Sequence, residues 1–571
     1  MNYKAVLGLS LALICPISAC AATSAELCPR PAVGSLVTDP VDLRSAHGEL
    51  RLDLQIRNVR EPDGSVRYCY ATPDGAQAPT LHLRPGDHVV LRLHDMLQDI
   101  DPAAAVIEKA ICTTKPKKTA NVCESGAMTA VSTNLHFHGM SMPPQCRQDD
   151  VLKTSIQPDS DSGGVFEYRF QVPKDEAPGL YWYHPHIHGF SARQVQGGAS
   201  GAMIIEGMER AVPETAGLPE RVLVIRDQEL LHPKAPPSKS EPVIPKSLVE
   251  SDGDALNNGM GFGKPAKDLS INYVSVPYPN YEPAVIRMKP GGRQLWRVLN
   301  ASSVTYLNLA LLFGKKPQNV RIAAVDGVPM KRKGREALLQ TDHVVLPPGS
   351  RAEFIVEGPP ANAQALLVTR TVDTGPAGEN DPNRALAIVE ADPRAADPAV
   401  VLPQGHGPLP VQKSRSLRDL TPVRTRRFFF SEQPSNPKDP NSPVEFYITE
   451  EGHKPRVFNP NDPIPNVVAR QGDVEDWVIE NRSNELHAFH VHQIHFLVMD
   501  SDGRPVDEPF LRDTINVPYA RGTQLSYPSV RIRMDFRDPN AVGTFVYHCH
   551  LLEHEDGGMM GTIQVLARGA R

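Results

Sequence analysis

Four short stretches of the chain gather residues that bind metal ions. They are "HFHG" with His136 and His138, "HPHIHG" with His184, His186 and His188, "HAFHVHQIHF" with His487, His490, His492 and His495, and "YHCHLLEHEDGGMMG" with His548, Cys549, His550, His554, Met559 and Met560. A single H-x-H occurs in many ordinary strands, so the chemistry has to come from geometry. In an extended segment, residues two apart lie on one face. His136 with His138, His184 with His186, His490 with His492, and His548 with His550 therefore make four convergent pairs. Imidazole is a strong ligand for copper and zinc and also suits iron and nickel. Eight imidazoles are too many for one ion, so they imply a cluster of ions. The same alternation turns Cys549 away from His548 and His550. Its thiolate would serve a second site with His554, five residues on, and Met559, ten residues on. His487 lies outside the four pairs and is free to complete that set. Two histidines, a thiolate and a weak axial thioether form a blue-copper electron-transfer site. Register relative to Cys549 favours Met559 over Met560. A few covalent bonds would then join the sulfur to the cluster. His188 and His495 fall outside both sets and are expected to pack against or support the ligands.

Something must hold these segments in place, and the chain repeats one phrase that can. "TLHLRPGDHVVLRLHDML" (80–97), "VIRMKPGGRQLWRVLNAS" (285–302) and "VVARQGDVEDWVIENRS" (467–483) each read as strand, basic residue, glycine turn and alternating strand. Gly86, Gly291 and Gly472 are spaced by roughly 200 and 180 residues, which suggests three copies of one domain-sized unit. Many turn residues and few helical periodicities favour Greek-key β-sandwiches. Polar, proline-rich stretches near 208–220 and 391–425 divide the chain into units at 26–210, 211–395 and 396–571. The first and third units carry the histidine clusters. The middle one carries no ligand and holds a long insertion at 232–268, expected to be a loop or a cover over a neighbour. "FFF" (428–430) is expected to be a core strand of the third unit.

The net charge of −6 argues against an electrostatic nucleic-acid binder. Residues 1–25, with Lys4 before a short apolar run and then small residues, form a secretory signal. "ISAC" (17–20) also resembles a lipobox that would place a lipid anchor on Cys20; cleavage after Ala21 or Ala25 is an alternative. No later segment is apolar enough to span a bilayer. Export to a bacterial periplasm or beyond allows Cys28, Cys69, Cys112, Cys123 and Cys146 to form disulfides. Five is odd, so one stays free or pairs outside the set. Cys112 and Cys123 flank an insertion that a local bridge could close.

Taken together, the four clusters resemble the signature of the multicopper oxidases, in the three-domain laccase-type branch. "HCHLLEHEDGGMM" and "HPHIHG" are most similar to the bacterial laccases and cuprous oxidases. The resemblance implies an all-β fold of three cupredoxin-like domains and four coppers per chain. It implies a type 1 copper at His487, Cys549, His554 and Met559, and a type 2 copper at His136 and His490. It implies a type 3 pair at His138, His184, His186, His492, His548 and His550. All these positions are filled, which argues against a relative that keeps the fold without copper. The implied reaction takes electrons singly from a small-molecule or metal-ion donor and reduces O2 to water. A monomer is expected.

Dioxygen reduction also needs protons, which carboxylates can shuttle. The resemblance places an acid near the type 2 site at Asp149 or Asp150, of which Asp150 is favoured, and a second at Glu555 near the type 3 pair. Three donors compete: phenols and aromatic amines, Cu(I), and other ions or pigments. The 14 methionines form no dense run that would collect Cu(I), so a laccase-like activity is favoured over a cuprous oxidase of copper tolerance. A two-domain copper nitrite reductase conflicts with the length and the complete type 3 set. A non-catalytic cupredoxin-fold envelope protein would require lost ligands.

Overall fold

A computed structural model describes residues 27–102, 121–124, 128–158, 163–236, 264–330, 337–400, 417–439, 442–520 and 526–570. The signal segment, Cys20, Cys112 and most of the 232–268 insertion lie outside the described residues. Among those described, the chain is almost entirely β. No helix is long and apolar enough to cross a membrane.

The strands form three successive pairs of sheets. The first pair has five and four strands, the second eight and six, and the third six and five. Each repeated phrase does the same thing in its own pair. Its two strands are Thr80–Leu83 and His88–Asp95 in the first, Ala284–Met288 and Arg293–Asn300 in the second, and Val467–Arg470 and Val474–Asn481 in the third. In every case the two strands belong to opposite sheets. The glycine turn is thus a crossover between the layers of a sandwich. Gly86 and Gly472 sit at φ +92° and +107°, a region that a side chain disfavours. In every case, too, the second strand pairs in parallel with an earlier strand of its own unit.

Alternation along the strands fills the space between layers. His88–Asp95 alternates its apolar residues inward, burying Val89, Leu91 and Leu93. Trp296 anchors the middle core and Trp477 the third, where Phe428 and Phe430 of the expected core strand also pack. Each such ring contributes about 1.5–3 kcal/mol of apolar burial.

Two disulfides pin the first unit: Cys28–Cys69 and Cys123–Cys146. The second settles a connectivity that the sequence left open, pairing Cys123 with Cys146 rather than with Cys112. Cys146 brings its Cα to 5.6 Å from that of Cys123, within bridging reach, although it is further off in sequence.

Candidate metal centre

The edge strand His136–His138 pairs antiparallel with Gly179–His184, setting His136 opposite His184. Phe137 turns into the core of the first unit, so its two neighbours turn out of it. In the third unit, His487–Val491 pairs with Gly543–Cys549. That register sets His490 opposite His548 and Phe489 opposite Cys549. Opposed residues share a face, so one side of this ladder carries imidazoles and the other carries the thiol. His186, His492 and His550 lie just past the ends of their strands and still turn inward.

The two units interlock ring on ring. His136 stacks on His492 at 3.8 Å between centroids, and His138 stacks on His490 at 4.0 Å. Ring nitrogens gather within 4.8 Å of one another in sets that include His138, His184 and His550, and also His186, His492 and His548. His136 and His490 meet beside His138. All eight are buried.

The partners on the outer nitrogens determine what faces inward. His184 Nδ1 donates to Pro185 O, His548 Nδ1 to Cys549 O and His490 Nδ1 to Asp513 O, each at 2.9 Å. A carbonyl can only accept, so the other nitrogen of each ring carries a lone pair. His136 Nδ1 lies 3.0 Å from Asp149 Oδ2, and His138 Nε2 lies 3.2 Å from Asp513 Oδ1. The inward atoms His136 Nε2, His138 Nδ1, His184 Nε2 and His490 Nε2 have no hydrogen-bond partner. Buried polar atoms are almost always partnered, and orphaned lone pairs converging on one space fit metal ions. Burial and the neighbouring imidazoles hold His138, His184, His186, His490, His492 and His550 well below the usual histidine range. Burial takes His548 down to about 3. Neutral imidazole is the form that ligates.

A second group lies on the other face of the ladder. Cys549 Sγ is 3.5 Å from His487 Nδ1 and 3.9 Å from His554 Nδ1, and those two nitrogens are 3.2 Å apart. Burial pushes the Cys549 thiol far above its ordinary range, so an ionised sulfur there needs a cation beside it. Met559 is fully buried in the apolar cluster that contains Cys549, whereas Met560 packs with Val151 and Val546. Phe446 stacks on His554 at 4.2 Å, and Phe430 lies 4.8 Å from His487.

Several supporting residues carry no sequence signal. Ser483 Oγ is 2.8 Å from His487 Nε2, and Glu432 Oε1 is 3.5 Å away. Glu485 Oε1 is 3.3 Å from His554 Nε2. Asp513 touches two histidines, as described above. His495 Nε2 lies 3.0 Å from Asp326 O, and His188 packs against Phe458.

Glu555, the acid expected near the type 3 pair, lies beside two of the cluster histidines. Its Oε2 is 3.3 Å from His548 Nδ1 and its Oε1 is 3.6 Å from His186 Nε2. Of the two adjacent acids, Asp149 rather than the favoured Asp150 touches His136. Asp149 holds His136 and also accepts from the Phe137 amide and from Gln493. Asp150 instead accepts from the Lys153 amide and lines a cavity of about 440 Å³ with Arg456 and Phe458. The two lie in a turn, where strand alternation does not tell which one faces the cluster.

Two segments, 127–210 and 437–568, match multicopper oxidase family models. The chain is 24% identical to the multicopper oxidase mco of Staphylococcus haemolyticus, over 76% of this chain and 77% of that protein. It is 22% identical to a laccase of Bacillus subtilis, over 76% and 80%. In fold it resembles a multicopper oxidase structure from Campylobacter jejuni, with a TM-score of 0.61 and 21% identity across 94% of this chain and 96% of that one. These likenesses, together with the sandwich fold and the grouped histidines and cysteine, all support a laccase-type multicopper oxidase.

Proposed function

We propose that the chain couples one-electron oxidation of a reducing substrate to four-electron reduction of O2 to water. His487, Cys549, His554 and Met559 hold a type 1 copper in this reading, His136 and His490 a type 2 copper, and His138, His184, His186, His492, His548 and His550 a type 3 pair. The observation that carries it is the division of one tripeptide. Cys549 Sγ stands beside His487 and His554, while its chain neighbours His548 and His550 face the imidazole cluster. Copper in these sites supplies one-electron acceptance beside sulfur and delivery of four electrons, with four protons, to O2 to give two waters. The chain supplies the path between the sites, a few covalent bonds of its own backbone.

It also supplies protons. Burial, with Asp556 beside it, raises Glu555 well above the carboxylate range, and it stands within reach of His548 and His186. From there its carboxyl group can give a proton to reduced oxygen.

The donor enters at His554. Its exposure of 7% exceeds that of the nine other proposed ligand histidines, none above 2%. A phenol or aromatic amine is the favoured donor. Burial and the Glu432 charge push Glu485 up to about 9. Glu432 is partly buried, which raises it, but hydrogen bonding to His487 brings it below its usual range. Glu432 is therefore the base of the pair and can take the phenolic proton as the electron leaves. A second reading, oxidation of Cu(I) or another metal ion, is favoured by the grouping of Glu432, Glu485 and Glu553 near His487 and His554, since carboxylates also hold cations. The likenesses span both: one relative is a laccase, and the Campylobacter jejuni protein is described as a metallo-oxidase. The two disulfides support an exported protein.

Steady-state kinetics of the copper-loaded enzyme on 2,6-dimethoxyphenol and Cu(I), side by side, test the donor. A higher kcat/KM on the phenol is expected. A preference for Cu(I) would replace the donor and keep the reaction. A colourless protein without copper or oxygen uptake would remove both and leave a non-catalytic envelope protein.

A further inference from the structure

The middle pair of sheets holds none of the proposed ligands, yet its turn "LPPGSR" (346–351) touches one of them, His550, and one support, Asp513. Arg351 begins the strand Arg351–Glu357 and is fully buried. Its guanidinium makes a two-pronged contact with Asp513 of the third unit, Nη1 to Oδ1 at 2.8 Å and Nη2 to Oδ2 at 2.7 Å. Its Nε donates to Leu180 O of the first unit at 3.1 Å. One side chain therefore ties all three units together. Asp513, so held, presents Oδ1 to His138 Nε2 and its backbone carbonyl to His490 Nδ1.

Two glycines make the approach possible. Gly139, which follows His138, has φ +88°; a Cβ there would stand 2.4 Å from Arg351 Nη2 and 2.9 Å from Asp513 Oδ2. Gly349, at φ +85°, lies under the His550 ring, and a Cβ there would stand 2.7 Å from its Cε1 and Nε2. His550 has no hydrogen-bond partner on either nitrogen, so Gly349 is the surface against which its ring is set.

We infer that this ligand-free unit positions the imidazole cluster, Arg351 by fixing Asp513 and hence His138 and His490, and Gly349 by setting the plane of His550. The chemistry lies in the tautomer. With Arg351 occupying both oxygens of Asp513, that carboxylate remains an acceptor, accepts a hydrogen bond from His138 Nε2–H, and leaves the unpartnered Nδ1 facing inward. A lysine in place of Arg351 keeps the charge and loses the fork, so Asp513 is free to rotate. Arg351 and Gly349 are positioning residues, because they act through other side chains.

The inference rests on the copper assignment proposed above. The test compares copper per chain, the type 2 electron paramagnetic resonance signal and the blue absorption of the thiolate site in wild type, Arg351→Lys and Gly349→Ala. Each variant is expected to keep the blue absorption and to hold cluster copper about 10- to 100-fold more weakly against a chelator. A changed type 2 signal is expected for Arg351→Lys. Unchanged copper and type 2 signals in both variants would overturn the inference. So would loss of the blue absorption in step with the cluster copper, which would mean general unfolding. A wild-type protein without copper would instead remove the assignment on which the inference rests.

Discussion

The two faces of one short ladder, Gly543–Cys549 against His487–Val491, differ in how they meet the outside. On the imidazole face, the outer nitrogens of five rings rest on main-chain carbonyls and on two buried carboxylates, Asp149 and Asp513. On the thiol face, the outer nitrogens meet Glu432, Glu485 and Ser483, and His554 is the ligand histidine with the most exposure. The first face is sealed and fixed. The second is open to a donor and lined with groups that can accept a proton or hold a cation. Donor choice should therefore depend on the thiol face, and oxygen chemistry on the sealed one.

The largest effect should come from cutting the link between the faces. Cys549→Ser is expected to lose the blue colour entirely and to drop oxygen uptake to background, while the imidazole face keeps its copper. Copper analysis beside an absorption spectrum checks this, and retained turnover would break the division of labour. Next is the proton supply of the sealed face. Glu555→Gln should keep the blue colour and slow turnover on the order of 10²-fold; unchanged turnover would remove Glu555 from the reaction. A smaller effect should separate the adjacent acids. Asp149→Asn, which alters the carboxylate on His136, should weaken copper retention about tenfold. Asp150→Asn should leave it as in wild type, and the reverse order would restore the acid first favoured.

The smallest effect concerns the metal-free protein. The cluster histidines have lowered pKa values when folded, so below about pH 6.5 the unfolded chain binds more protons. Stability is thus full above that pH and falls as the solution is acidified, by up to about 1.4 kcal/mol per pH unit for each such ring. Thermal unfolding of the chelated protein between pH 7.5 and 5.5 should show a falling midpoint. A midpoint independent of pH would mean that the rings are not buried neutral.

What could be read from the sequence was whatever follows strand periodicity. His490, His548 and Cys549 fall on the faces that alternation assigns, and each repeated strand–glycine–strand phrase forms two strands. Periodicity says nothing inside turns, so it does not tell which of Asp149 and Asp150 lies against His136. Nor does it report contacts between segments far apart in the chain. Asp513, Arg351, Glu432 and Glu485 are solitary charged residues in unremarkable stretches, and only folding brings them to the histidines. The Cys123–Cys146 bridge escaped for the same reason, since the partner nearest in sequence is not the one brought near in space.

The central claim is that Cys549 and its two neighbours serve different metal sites, and anomalous diffraction at the copper edge from crystals of the copper-loaded protein measures this directly. The account predicts one isolated peak against Cys549 Sγ, His487 and His554, and three grouped peaks among the eight paired imidazoles. A Cys549 without metal, or an imidazole cluster holding a single ion, would contradict it.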